Sequence, residues 1–495
     1  MRIVHINVTA TLSTGRIAAD LCRHAMAQGH ETLLCYGRGS APKDIPTLRV
    51  GEVTRELDYN KLLRKNFRNP HRRMDVQTAL TRRTLWDKLR SRSIDLGVNI
   101  HAGLSRITDR SGFYSSRSTR RLIRELEKFK PDLIHLHNLH GYYLHLPTLF
   151  RYLRDSGIPV VWTLHDTWAY TGHCAYYHFP VEPFLRKDLD QQEDNYDDYE
   201  DEAAAPAPVS CQLWKSGCHH CPLKDTYPIS YVMDQSARNY KEKRALFTAL
   251  PLMVLTTPSQ WLRNEVLQSY LGKYRIYALP NGINLNDFSP CSDPRFMQDI
   301  SMFYGLDRIG QRKLVISVAA VWDDRKGLDD LIMLADELGD EYCVAVVGLD
   351  RYQVNNLPGH MLGVVRTSNV RELCVLYTAA DLCISMSRGE TMGMTLVESL
   401  ACGTQVLCYD STAMPEIVTP QVGETVPAGD IKAAADAVRR LCEHPKEPLH
   451  CIARAAQYGR NLRYDEYMKL YRLIEEYAIT RQVQKHRPAG AAESV

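Results

Sequence analysis

The sequence predicts an α/β protein made of two parallel sheets, each covered by helices, and three features predict it. At 495 residues the chain is longer than one hydrophobic core organises, so two domains are expected. Short β-branched runs alternate with amphipathic helical stretches, the pattern of strands joined by helical crossovers. That alternation occurs in two sets, separated near residues 288–310, where Pro290, Pro294 and Gly305 interrupt regular patterning.

The first set opens with residues 2–8 as a strand, followed by a loop to Gly15 and a helix whose Ile17, Leu21 and Ala25 share one face. Gly29-His30 breaks that helix before a second strand at 32–35. Residues 133–136, 160–164 and 253–256 read as further strands, and 278–284 closes this half with Asn281-Gly282 as a turn. The second set has strands at 313–320, 342–347, 361–365, 381–385 and 405–407 with helices between. A last helix is expected over 464–477, with a polar, disordered tail from Arg481. The chain therefore divides into a first domain, 1–286, a second domain, 287–463, and a helix with its tail, 464–495. Two insertions interrupt the first domain, a basic one over about 55–110 and an acidic, cysteine-containing one over about 174–225.

Composition excludes several classes. With 44% hydrophobic and 24% charged residues and a net charge of +3, the chain is an ordinary globular protein and not a nucleic-acid binder. No apolar run approaches the roughly 18–20 residues that span a bilayer. The start, Met1-Arg-Ile-Val-His-Ile-Asn-Val, reads as a strand and not as a secretory signal. The 14 cysteines then read as reduced thiols or metal ligands, which points to the cytoplasm. Residues 61–92 are dense in Lys and Arg with Leu, Phe and Trp interleaved, a solvated face, an RNA surface or a peripheral membrane contact through Arg64, Lys65, Arg68, Arg72 and Arg73. Residues 188–202 are strongly acidic and read as a solvated loop.

The most informative stretch is Ser385-Met-Ser-Arg-Gly-Glu-Thr-Met-Gly-Met-Thr-Leu-Val-Glu-Ser-Leu-Ala-Cys-Gly403. A strand ends at Ser385, a loop carries Glu390, and Gly393 opens a helix with Leu396, Val397 and Leu400 on its apolar side. The free N–H groups near Gly393, Met394 and Thr395 form an anion site suited to a diphosphate. Glu398, about a turn into the helix, can accept hydrogen bonds from two ribose hydroxyls, and Glu390, in the loop, can engage sugar hydroxyls. The bland alternative is a pair of surface glutamates at a helix start, against which the strand–loop–Gly–helix context argues.

Glu390 and Glu398, eight apart, with Gly393 between them resemble the E-x7-E signature of glycosyltransferase family 4, retaining enzymes of the GT-B fold in which two Rossmann-like domains face each other across a cleft. The resemblance extends to Thr163-Leu-His-Asp166, Thr257-Pro-Ser259, Pro280-Asn-Gly-Ile283 and Lys326-Gly327. Residues 132–143, 162–174 and the cysteines downstream are similar to bacterial exopolysaccharide transferases of the colanic-acid and capsule type. The resemblance implies that Glu398 binds the donor ribose, Glu390 the transferred sugar, and Lys326 with Arg325 the departing diphosphate. It implies that His165 stands near the anomeric centre and that the 11–15 loop with Gly15 closes on phosphates or acceptor. No cofactor is then required. The donor is a UDP- or GDP-sugar, and the acceptor is an oligosaccharide or a lipid-linked molecule at the inner face of the cell membrane. The chain departs from the family in three places: Val321 stands where an Arg usually precedes Lys-Gly by five positions, Gly15 stands alone where a pair is common, and Met392 replaces an aromatic.

Two weaker groupings remain. Cys218-x2-Cys221 has the spacing of a metal knuckle, and Cys211 and Cys174 can complete a structural zinc site, the alternative being unliganded thiols. Alternation puts His135 and His137 on one strand face, where lining of the cleft is expected over a metal pair. Trp322 is expected to pack at a strand end. Two rival functions are a nucleotide-sugar epimerase of similar fold, which would turn over donor without acceptor, and a binding scaffold with no turnover.

Overall fold

The chain is described here by a computed structural model covering residues 1–11, 13–51, 85–179 and 209–486. In chain order the first half contributes β1 (Arg2–Asn7), β2 (Glu31–Tyr36), β3 (Thr47–Arg49), β4 (Leu133–Leu136), β5 (Val160–Thr163), β6 (His178–Phe179), β7 (Val209–Ser210), β8 (Met253–Thr257) and β9 (Arg275–Ala278). Seven of them form one sheet in the order β3-β2-β1-β4-β5-β8-β9, and β6 and β7 form a separate antiparallel pair. The second half contributes β10 (Lys313–Val318), β11 (Tyr342–Val347), β12 (Leu362–Val364), β13 (Leu382–Ser385), β14 (Val406–Tyr409) and β15 (Gly423–Val426), in the order β12-β11-β10-β13-β14-β15. Pairing within both large sheets is parallel. Parallel strands covered on both faces are apolar almost throughout, and β4, β5 and β14 are buried at every position.

Besides the β6–β7 pair, the strands missing from the sequence reading are β3 and β9, the two edges of the first sheet, and β15, an edge of the second. Each has only three or four residues, too few for a period-two pattern to register, so neighbouring strands define them. The interruption expected over 288–310 needs correcting. It holds a helix, Pro294–Tyr304, with the Asp293 carboxylate accepting the Phe296 N–H at 3.1 Å. Pro294 is its first residue and Gly305, at φ +83°, ends it, so both residues punctuate a helix that they were expected to break.

The chain crosses between the two halves twice, at one place. Ile283 bridges to Gly459, with Ile283 N–H donating to Tyr458 O and Arg460 N–H donating to Ile283 O, both at 2.8 Å. Gly282 permits this, since a Cβ there would stand 2.5 Å from the Arg460 Cα. The returning chain is the helix Arg460–His486, so residues 481–486, expected to be disordered, are helical. Its Tyr464, Tyr467, Met468, Tyr471 and Ile474 pack on Ile3, Leu21, Ala25, Leu133 and Val161 of the first domain. Residues 64–73 of the basic segment, the acidic run 188–202 and the tail beyond 486 lie outside the described residues. No described helix is long and apolar enough to cross a membrane.

Tyr471 is fully buried, and its hydroxyl pairs with His135 Nδ1 at 2.5 Å. Tyr471→Phe should cost about 1–3 kcal/mol by leaving that nitrogen without its partner, and Tyr471→Ala about 3–5 kcal/mol through the cavity added. Denaturant unfolding of both variants checks this, and an unchanged stability in Tyr471→Phe would show that the hydrogen bond contributes nothing.

Candidate functional site

The site begins with two loops pressed together at the carboxyl ends of β10 and β13. After β10 the chain makes a tight turn, Asp324–Lys326, in which Lys326 N–H donates to Asp323 O at 2.8 Å. Gly327 follows at φ +73°, and a Cβ there would lie 2.3 Å from Met386 O, so only glycine lets this turn lie flat against the end of β13. Arg388 N–H and the Ser387 hydroxyl both donate to Arg325 O, at 2.8 and 3.3 Å, tying the second loop to the first. Arg388 also pairs with Asp330 at 2.8 Å, where the Tyr409 hydroxyl donates to the same carboxylate.

This juxtaposition brings Lys326 into a direct ion pair with Glu390, 64 positions later. Arg325 donates to Gly389 O, stands 3.7 Å from the Glu390 carboxylate, and lies over the Tyr176 ring of the first domain at 4.1 Å. Val321 is 67% exposed and makes none of these contacts. Glu390 N–H donates to Thr412 Oγ1 at 2.9 Å. Burial acts to raise the Glu390 pKa, but Lys326 and Arg325 outweigh it and hold the carboxyl below the usual glutamate range.

Gly393, at φ +86°, opens the helix Met394–Ala401. The first N–H groups of a helix have no intrahelical acceptor, so those at Met394 and Thr395 are free to meet an anion. Glu398 lies one turn in, its carboxylate 3.4 Å from the Tyr377 hydroxyl. Burial pushes its pKa up to about 7, against the pull of Arg16 and Tyr377. Two glutamates eight residues apart are thus driven in opposite directions, one held ionised by cations and the other kept near neutrality by desolvation.

The first domain meets this loop at His165, whose carbonyl accepts the Thr391 hydroxyl at 3.0 Å. The His165 ring stacks on His137 at 5.4 Å, their nitrogens 3.1 Å apart, and His137 pairs in turn with His5 at 3.1 Å. Burial lowers the His165 pKa to about 4, although Asp166 opposes the shift, so the ring is neutral at pH 7. His135 is not in the cleft as expected. It is buried beneath the last helix, between Tyr471 and the Thr163 hydroxyl at 2.6 Å. Gly15 is required by packing, because a Cβ there would lie 2.6 Å from Thr9 O, and this close start of the helix Thr14–Ala27 carries Arg16 within reach of Glu398. Trp322 packs inward, its indole N–H on Val347 O at 3.0 Å. Cys174, Cys211, Cys218 and Cys221 gather on one apolar cluster in the first domain, away from the Glu390 loop.

Sequence reasoning missed Arg16, Tyr176 and Thr412. Arg16 had a readable signal, a basic residue directly after Gly15 at the start of the first helix. Tyr176 and Thr412 had none, because only the meeting of distant loops gives them a role.

Residues 306–458 match the family model described as glycosyl transferases group 1, and residues 87–192 match that of glycosyltransferase family 4. The chain is 23% identical over 435 residues to a protein of Escherichia coli (strain K12) named for colanic acid biosynthesis, the glycosyl transferase WcaC, across 86% of this chain and 87% of that one. Among solved structures it is similar to sucrose-phosphate synthase from Thermosynechococcus elongatus, with a TM-score of 0.59, 14% identity, and 96% and 99% of the two chains covered. It is also similar to the Anabaena protein HepE in complex with UDP and glucose, with a TM-score of 0.55, 13% identity, and 95% and 98% covered.

The raised pKa of Glu398 has a consequence for stability. The folded state keeps this proton up to about pH 7, whereas an unfolded glutamate loses it near about 4.3. The native state therefore binds more protons between these values, and the stability contributed is full below the lower one and lost as pH rises through the upper. Glu398→Gln should remove this loss, so its stability relative to the wild type should grow from pH 5 to pH 8, as read by denaturant midpoints. A constant difference would place the carboxylate in a solvated setting.

Proposed function

We propose that this chain, a glycosyltransferase of the GT-B fold carrying the group 1 and family 4 domains, transfers a sugar from a UDP- or GDP-sugar to an oligosaccharide or lipid-linked acceptor with retention at the anomeric carbon. The observation that carries the reading is the meeting of Lys326, Arg325 and Glu390 directly before the Gly393 helix start, one turn from Glu398. A diphosphate seated on the N–H groups of Gly393, Met394 and Thr395 lies beside both cations, and the nucleotide's ribose hydroxyls donate to the Glu398 carboxylate. Donor arrival competes with Glu390 for Lys326, freeing the Glu390 carboxylate to accept from the sugar's hydroxyls.

In the transfer the anomeric C–O bond breaks, its electron pair leaves on the diphosphate, and the acceptor oxygen bonds on the same face. The acceptor's proton passes to the departing phosphate oxygen. Lys326 and Arg325 meet charge that grows as the bond breaks, which makes their interaction stronger in the transition state than before it. These groups supply the positive field, so the mechanism calls for no divalent ion. Neutral His165 borders the reacting carbon without adding a charge that would hold the diphosphate back. The similarity to a protein named for colanic acid biosynthesis supports a role in exopolysaccharide or capsule synthesis, with a lipid-linked acceptor holding the reaction at the inner membrane face.

Calorimetric donor binding and transfer rates on three variants test this assignment. Glu398→Ala should weaken donor affinity about tenfold or more, since charged hydrogen bonds contribute about 1.5–3 kcal/mol each. Glu390→Ala and Lys326→Ala should lower turnover more than affinity, because their contacts act on alignment and on developing charge. Proton NMR of the product should show the donor's anomeric configuration. Normal donor affinity in Glu398→Ala, or an inverted product, would overturn the assignment.

A further inference from the structure

All the cysteines of the described residues are free thiols, yet four of them converge on the segment between β5 and β8. Cys174 is buried in the first domain's apolar cluster, and Cys211, Cys218 and Cys221 pack against it. Cys174 lies within electrostatic reach of each of the other three. Gly172 lets the strands of this segment approach, since a Cβ there would stand 2.6 Å from the Cys218 Cβ and 2.3 Å from Ser236 O. Its N–H donates to Cys218 Sγ at 3.0 Å. The N–H groups of Leu213 and Leu223, each two residues beyond its cysteine, face the sulfurs of Cys211 and Cys221, while the Thr171 hydroxyl donates to Cys174 O at 2.6 Å. Three of the four sulfurs, those of Cys211, Cys218 and Cys221, thus face a backbone N–H, which orients a metal ligand.

A buried cation lies beside them. Lys243 is 1% exposed, donates to Trp168 O at 2.5 Å and lies over the Trp168 ring at 3.9 Å. It makes no ion pair among the described residues, and both Cys174 and Cys218 act on its charge. An ammonium buried without an anion is costly. Four thiolates around one divalent ion carry two net negative charges, which add to the Asp109 and Asp166 carboxylates already acting on this lysine.

We propose that Cys174, Cys211, Cys218 and Cys221 bind one structural zinc ion. Four thiolates with no open position make a closed tetrahedral site, so the ion serves the fold and takes no part in the transfer. Among the described residues the group that already brings three ligand atoms within 4.8 Å is His5, His135 and His137. Its nitrogens are taken up by one another and by Tyr471, Thr163 and His165, apart from His5 Nε2. The cysteine sulfurs draw inward on an ion at about 2.3 Å. Tyr176, two residues beyond Cys174, carries the Arg325 guanidinium on its ring, so the ion fixes the segment on which the donor loop leans.

Metal analysis of the full chain, purified without chelator, should give about one zinc per chain. Cobalt exchanged into the site should show thiolate-to-cobalt charge-transfer absorption. Cys218→Ser should lower zinc content, whereas Cys291→Ser, in the second domain, should leave it unchanged. Should Cys218→Ser fail to fold, the cobalt spectrum of the wild type decides. Metal-free wild type, a cobalt spectrum without thiolate bands, or zinc that survives Cys218→Ser and is lost in His5→Ala would each overturn the proposal.

Discussion

The return of the last helix to the first domain is the constraint on which the rest of the structure depends. Without Arg460–His486 the face of β1, β4 and β5 that carries Ile3, Leu133 and Val161 would be open to water, together with His135 and Thr163. Burying imidazoles is tolerable only when their nitrogens find partners, and the hydroxyls of Tyr467 and Tyr471 come down from the helix to meet that face. To deliver them the chain must leave the second domain beside the place where it entered. Gly282 against Arg460 is where the two crossings touch. The two sheets are therefore hinged at a double strand of chain, which holds the mouths of both sheets towards each other.

Across the cleft the contacts are few and polar. The Glu416 carboxylate accepts the N–H groups of Gln260 and Trp261 at 2.9 and 2.6 Å, capping a first-domain helix from the second domain. Thr391 reaches His165 O, and Asn281 N–H meets the Met392 sulfur at 3.2 Å. Interfaces of this kind permit relative domain motion at modest cost. Glu390 pairs with Lys326 and stands near Arg325, and both cations are half-buried. Glu390 and Glu398 are shifted in opposite directions, the first held ionised by those cations and the second raised by burial.

The segment between β5 and β8 extends the same economy of structure to an insertion. It brings Tyr176 and His178 to the edge of the loop carrying Gly389 and Glu390. Trp168, Tyr170, Tyr177 and Trp214 of the segment join the first domain's core, and the four cysteines lie on the same cluster.

The sequence by itself determined most of the parallel strands, the helix that opens at Gly393 and the placing of Glu390 in a loop and Glu398 one turn into that helix, because these features follow from local periodicity, from glycine conformation and from a motif that lies within a few residues. Even the misread stretch at 288–310 carried its true signal, Pro294 at the first turn and Gly305 at the end of a helix. Tertiary structure alone decided that Arg325 lies over Tyr176 beside Glu390, that Arg16 reaches Glu398 from the other domain, and that His135 is sealed under Tyr471 while the His165 carbonyl meets Thr391. Each of these joins residues far apart in the chain, and their pairing is fixed by the packing of whole elements and by the burial of charge, neither of which leaves a mark on the neighbouring residues.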